Sequence, residues 1–217
     1  MSARRIPPNR RSITGQFPSR KNGRFVPFES GLERDNFFQL EFDDRVVTYE
    51  AQPVRIEFSR GGGRWYPGFP DLAVTYRAEL GPGEIHDVKF RSEIFGNWVH
   101  LKPRLLAACA YARQQGKLYR LRSEVEIRTA FLPQAKFLYR YLLNFIADQS
   151  YANLFRDALR ASGKSTPAEL LRTCIPDTDR AIALPTLWSM VATREISADL
   201  CAPLTMSSDL WMVDGSA

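Results

Sequence analysis

Glu33 in ESGLERD, Asp71 in FPDLAVTY and the Asp87-Val88-Lys89 triplet in IHDVKF are the residues of this chain whose types and spacing could do chemistry. Carboxylates are hard oxygen donors and hold a divalent cation such as Mg2+. The cation activates water and neutralises charge on a phosphate. A lysine beside it adds positive charge near the attacking water or the developing oxyanion. Two or three carboxylates and one lysine are therefore the minimal kit for metal-assisted phosphodiester hydrolysis. Pro70-Asp71 followed by Asp87-x-Lys89 fits the PD-(D/E)xK pattern, which is short enough to arise by chance. The competing readings are a surface ion pair for Asp87 with Lys89 in water, and for Glu33 a glutamate reaching solvent from the edge of an apolar stripe.

These residues need a sheet with a helix before it. Residues 28–42 read as a helix with Leu32, Phe37 and Leu40 on one side, and Glu33 projects onto that side. Short strands rich in Val and aromatics follow at 46–49 and 54–58. Gly61-Gly62-Gly63 reads as a hairpin tip and lacks the Lys-Ser/Thr of a phosphate-binding loop. Strands over 71–76 and 85–90 flank the Gly81-Pro82-Gly83 reversal and pair antiparallel. On a strand, residues two apart share a face. Asp87 and Lys89 then point one way, and Val88 and Phe90 point into the other packing layer. Asp71 opens the neighbouring strand. A helix over 101–115, with Pro103 in its first turn, and a strand over 117–125 make a crossover that closes a mixed sheet.

The rest of the chain is helical. Helices are expected over 131–145 and 151–161, then one capped by Ser165 or Thr166 with Pro167 first, then one from Asp177 towards Thr193. Strand-like pieces follow in 195–212. Helices followed by a small β unit suggest a winged helix-turn-helix, and a generic helical subdomain is the alternative. The expected organisation is a basic arm over 1–27, a catalytic domain over 28–127 and a winged-helix-like domain over 128–217.

Net charge is +6 in 217 residues, which suits a polyanionic partner. Arg4, Arg5, Arg10, Arg11, Arg20, Lys21 and Arg24 all precede the first acidic residue, Glu29. This Pro-, Ser- and Gly-rich arm reads either as a DNA-contacting segment that tracks phosphates or as a solvated tail. Three dispersed cysteines and two histidines argue against a disulfide framework, a zinc cluster and a Ser-His-Asp hydrolase. No apolar run is long enough to span a membrane, and MSARRIPPNRR has no apolar core of a secretory signal. A reducing cytoplasm is expected.

The run FESGLERDNFFQLEFDDRVVTYEAQPVRI resembles the opening of the TnsA-type transposon endonucleases. FPDLAVTY, HDVKFRSE, a helix ending in glycine and LYRLRSEVEIR follow in that family's order, so the resemblance spans residues 28–128. It implies a mixed α/β restriction-endonuclease-like core. It also implies a Mg2+-dependent DNA endonuclease, with Mn2+ as a substitute and one or two ions bound. Glu33 matches the helix glutamate that binds metal, and Asp71 the central metal-binding aspartate. Asp87 matches the second strand position and Lys89 the catalytic lysine, with the Val88 backbone carbonyl as a further ligand. The implied partners are transposon-end DNA, a TnsB-type DDE transposase and a TnsC-type AAA+ ATPase regulator. A stand-alone nuclease and an inactive DNA-binding scaffold are the alternatives. The approach WYPGFPD is longer than the family's usual Tyr-x-Pro-Asp, which leaves the local loop open.

Overall fold

Phe17 and Val26 are buried while Gln16 and Phe25 face water, and this alternation makes a hairpin. In the computed structural model, which describes residues 13–143 and 145–213, β1 (Gly15–Ser19) pairs antiparallel with β2 (Arg24–Phe28), Phe17 opposite Val26. The expected unstructured arm over 1–27 is therefore corrected from Gly15 onwards. Arg4, Arg5, Arg10 and Arg11 lie outside the described residues.

Lys21 needs a second correction. Its ammonium donates to the backbone carbonyls of Asp43 and Val46, so it ties the hairpin turn down and is not free for phosphate. Burial lowers its pKa against the pull of Glu41, Asp44 and Asp43. Arg20 and Arg24 stay exposed at the same turn.

Two compact units follow from the contacts, Met1–Arg128 and Thr129–Ala217. In the first, α1 (Gly31–Phe42) starts three residues later than its apolar spacing suggests, because Ser30 caps it by accepting from the Glu33 amide (3.1 Å). A four-stranded mixed sheet comes next, in the order β3 (Val46–Ala51), β6 (Leu72–Tyr76), β7 (Glu84–Val88), β8 (Leu118–Arg122). The first two pairings are antiparallel and β7–β8 is parallel. Between β3 and β6 the chain forms a separate hairpin of β4 (Ile56–Ser59) and β5 (Trp65–Gly68). Two helices make the crossover to β8: α2 (Arg91–Gly96), which the sequence did not suggest, and α3 (Trp98–Gln114). Pro103 thus lies in the second turn of α3, not the first. The strand expected to Val125 stops at Arg122, because Ser123 and Glu126 form a capping box that opens α4 (Glu124–Ile127).

The sheet is covered on both faces. Val88 packs with Leu32 of α1, Ile127 of α4 and Phe90. Asp87, on the other face, meets α3 through Arg104. Phe17, Phe37 and Tyr49 form an aromatic seam, Phe17 edge-on to Phe37 and Phe37 tilted against Tyr49, with centroids 5.5 and 5.2 Å apart. Each such buried ring contributes about 1.5–3 kcal/mol through burial.

The second unit runs α5 (Phe131–Leu143), α6 (Gln149–Ser162), β9 (Lys164–Ser165), α7 (Pro167–Cys174), α8 (Arg180–Ala192), β10 (Ile196–Ala198), β11 (Leu210–Met212). The strands form a sheet ordered β10-β11-β9. Asp148 caps α6, and Thr166 with Glu169 forms a capping box on α7. Arg180 opens α8 behind Asp179, so Asp177 is not its cap. Phe155, Leu159, Leu187 and Leu210 are fully buried at the centre of this unit.

Glu41 locks the β1–β2 hairpin to α1. It accepts from the hydroxyls of Ser19 (2.6 Å) and Tyr49 (2.7 Å) and from the amides of Arg20 and Lys21. Glu41→Ala strands these donors and should cost about 3–5 kcal/mol, read as a lower urea midpoint with an unchanged slope. Glu41→Gln, which keeps one acceptor oxygen, should recover part of the loss.

Candidate active site

Asp71 stands at the entrance of β6, and the antiparallel register that sets Leu72 opposite His86 brings it beside the end of β7. Asp71 Oδ2 accepts from the Val88 amide (2.7 Å) and from Lys89 Nζ (3.0 Å). The Lys89 ammonium also donates to the Val88 carbonyl (3.0 Å). One carboxylate oxygen and one carbonyl oxygen thus converge on a single positive charge at the sheet's rim. Burial alone would lower the Lys89 pKa, but the Asp71 carboxylate outweighs it and holds the amine above its ordinary value. Lys89 is therefore an obligate cation here.

Asp87 is fully buried. Tyr119 donates to its Oδ2 (2.8 Å), and Arg104 Nη1 lies 2.7 Å from its Oδ1. Arg104 Nη1 also donates to the Phe69 carbonyl (3.1 Å), two residues before Asp71. Burial raises the Asp87 pKa and Asp71 adds to it, against Arg104, Tyr119 and Lys89. Burial, with Asp87 beside it, likewise pushes the Tyr119 hydroxyl up, so Tyr119 is a neutral donor.

Glu33 enters from the first turn of α1. Its Oε2 accepts from the Glu29 amide (2.9 Å) and its Oε1 from Ser30 Oγ (3.0 Å). Glu33 thereby completes the cap of its own helix. Burial first and the Asp71 charge second raise its pKa to about 7, against the Glu29 amide, Lys89 and Ser30. Glu33 is thus electrically part of the cluster.

The structure joins Asp71, Val88 and Lys89 by direct hydrogen bonds and couples Glu33 and Asp87 to them through charge. It does not gather the carboxylates into a cage. Among the described residues, no three His, Cys, Asp or Glu side chains form a group that could hold a metal ion. The donors that fit a hard cation are Asp71 and the Val88 carbonyl, whose oxygens already share one positive group, with Glu33 and Asp87 as the further carboxyl groups coupled to them. The cluster sets three carboxyl groups beside the two cations Lys89 and Arg104, and burial first, with the Asp71 charge second, raises the pKa of Glu33 and of Asp87.

Sequence reasoning missed Arg104, Tyr119 and the second role of Glu33. Ser30-x-x-Glu33 is a capping-box spelling and was there to be read. Tyr119 lies opposite Ile85 in the parallel register, which faces it to Asp87, and only the pairing reveals that. No local signal marks Arg104. A separate cavity of about 630 Å3 on the opposite sheet face, lined by Arg45, Tyr76, Glu84 and Arg120 among others, carries mostly self-paired charge: Arg45 with Asp43 and Arg120 with Glu84. No family model and no curated protein matches this chain.

Two outcomes follow for stability. Because the folded pKa of Glu33 is raised from 4.5 to about 7, the folded protein holds a proton that the unfolded chain has lost, and stability falls as pH rises through this window. Glu33→Gln should therefore be more stable than the parent by up to about 3 kcal/mol at about pH 8 and equal to it at about pH 4, by denaturation at each pH. Arg104→Met leaves the buried Asp87 charge unpaired and should cost about 3–5 kcal/mol near neutral pH, with the deficit shrinking in acid as Asp87 protonates.

Proposed function

We propose that the first unit is a metal-dependent DNA endonuclease of the PD-(D/E)xK type with a restriction-endonuclease-like core. The observation that carries this reading is the single Lys89 ammonium shared by Asp71 Oδ2 and the Val88 carbonyl, with the carboxylates of Glu33 and Asp87 coupled to the same group. Asp71 and the Val88 carbonyl would hold a Mg2+ ion, with Glu33 and Asp87 as the further acidic groups. When bound, the ion would supply Lewis acidity towards a phosphodiester and a more acidic water.

The chain's own residues then divide the work. Lys89, held cationic by Asp71, stabilises charge on the phosphate and does not act as a base. Glu33, in the first turn of α1 and coupled to Asp71, is a further carboxylate that would face the ion. Tyr119 and Arg104 fix Asp87 and exclude solvent from behind it. Arg104 Nη2 is buried with no hydrogen-bond partner among the described residues, and a phosphate oxygen would satisfy it.

In the TnsA-type reading, the substrate is a transposon end cut at its 5′ strand, a DDE transposase of the TnsB type handles the 3′ strand, and a TnsC-type AAA+ ATPase regulates both. The second unit is proposed to be a winged helix, on the order helix-strand-helix-helix-strand-strand over α6 to β11 and the sheet order β10-β11-β9. Most of its α8 is buried within the unit, so that helix offers few side chains to a DNA groove.

Mg2+ should promote nicking of supercoiled DNA and raise the melting temperature of the parent protein, at concentrations well above its Kd by about 3 kcal/mol of linkage. Asp71→Asn keeps an acceptor for the Val88 amide and removes the charge. It should lose both effects, with nicking down by at least about a hundredfold, about 2.7 kcal/mol in barrier terms. Parent-like nicking in Asp71→Asn would sink the reading. Cleavage that requires an added DDE transposase separates the transposition reading from a stand-alone nuclease.

A further inference from the structure

We propose that the β4–β5 hairpin grips the phosphate backbone of duplex DNA beside the catalytic cluster, through Arg60, Arg64 and the exposed ring of Trp65. This deepens the nuclease reading and rests on it for the identity of the substrate.

Topology places the hairpin. The chain leaves the sheet at Gln52, whose amide donates to the Asp71 carbonyl (3.0 Å), and returns through Phe69-Pro70 directly into Asp71. The hairpin is also seated on α3 by close packing. A Cβ at Gly68 would stand 3.1 Å from Arg104 Cγ and 3.3 Å from Ile56 and Phe58 side chains. Arg104 therefore touches the hairpin with its stem and Asp87 with its guanidinium. Whatever the hairpin holds is held near Asp71 and Lys89.

Charge and shape define the ligand. The hairpin carries Arg55, Arg60 and Arg64 against Glu57 alone. Glu57 is taken by Arg55 (3.3 Å). Neither Arg60 nor Arg64 faces a carboxylate among the described residues. Arg60 stacks over Phe58 and Tyr66, 5.5 and 5.2 Å from the ring centroids. That stacking orders the guanidinium and leaves its charge unneutralised. Trp65 is 67% exposed on the outward face. The tip, Gly61-Gly62-Gly63, has φ of +95°, +65° and +73°, and a Cβ added at any of the three would meet nothing within 4 Å beyond its chain neighbours. A tip without side chains can approach a groove wall closely. Two arginines without a carboxylate partner and one exposed indole on a single hairpin fit a polyanion with flat sugar-base edges.

The test measures duplex DNA binding by fluorescence anisotropy with the full chain in Ca2+, across a salt series, with melting temperature as the folding control. The Arg60→Ala/Arg64→Ala double variant should bind more weakly, and its slope of log K against log salt should fall by roughly 2, one counterion release per lost phosphate contact. Trp65→Ala should weaken binding without changing the slope. Arg113→Ala, an exposed arginine at the far end of α3, should leave affinity and slope unchanged. A double variant with the parent's affinity and slope overturns the proposal, as does a parent protein that binds no duplex. If the parent shows the hairpin-dependent slope but never nicks DNA in Mg2+, the nuclease reading fails and the hairpin assignment stands. If nicking depends on Asp71 but binding ignores Arg60 and Arg64, the hairpin assignment fails alone.

Discussion

One carboxylate oxygen organises the rim of the sheet. Asp71 Oδ2 receives the Val88 amide and the Lys89 ammonium together, so it fixes where β7 ends and where the lysine points. Its own carbonyl takes the Gln52 amide, which fixes where the β4–β5 hairpin leaves the sheet. Three chain segments distant in sequence are registered by a single residue. The antiparallel β6–β7 pairing makes this possible, since it sets the start of one strand against the end of the next.

The cluster is held at a cost. Burial resists ionisation of a carboxyl group and a neighbouring carboxylate adds to that resistance, and both Glu33 and Asp87 have raised pKa values, from burial first and Asp71 second. A core built for stability alone would replace such charges with packed apolar groups. Here Asp87 is wrapped by a guanidinium and a phenol, and Glu33 is wrapped by its own helix cap. Those partners let the charges persist without collapsing the site. Local rules broken and then compensated in this way are expected where a fold carries function.

Much of this was legible in the chain. Gly81-Pro82-Gly83 announced the β6–β7 reversal, and the DxK was expected on a strand over 85–90, whereas β7 ends at Val88 and leaves Lys89 just beyond it. The missing parts were those that depend on pairing in space. Arg104 sits on an amphipathic helix with nothing local to distinguish it from its neighbours. Tyr119 needs the parallel register of β8 to face Asp87. The N-terminal arm looked irregular because Pro18, Pro27 and its turn residues hide a five-residue alternation, in which Phe17 and Val26 face inward. Lys21 looked like a phosphate contact because its charge is visible in sequence and its two carbonyl partners are not.

The two units differ in what they could offer a polyanion. In the second, α8 is the helix that a winged helix would present to a groove, yet most of its side chains are buried and its one cation is committed. Arg180 donates to the Leu171 carbonyl (3.1 Å) and pairs with Asp177 (2.6 Å). Groove reading needs several exposed donors on one helix face, and α8 has no such row. In the first unit, Arg60, Arg64, Arg20 and Arg24 are exposed. If the chain acts on DNA, the exposed arginines of the first unit are therefore the ones placed to supply the grip. On the proposed nuclease reading, a unit that both held and cut DNA would gain most with contact and chemistry on one anchor, and the β4–β5 hairpin is tied to Asp71 through the Gln52 amide.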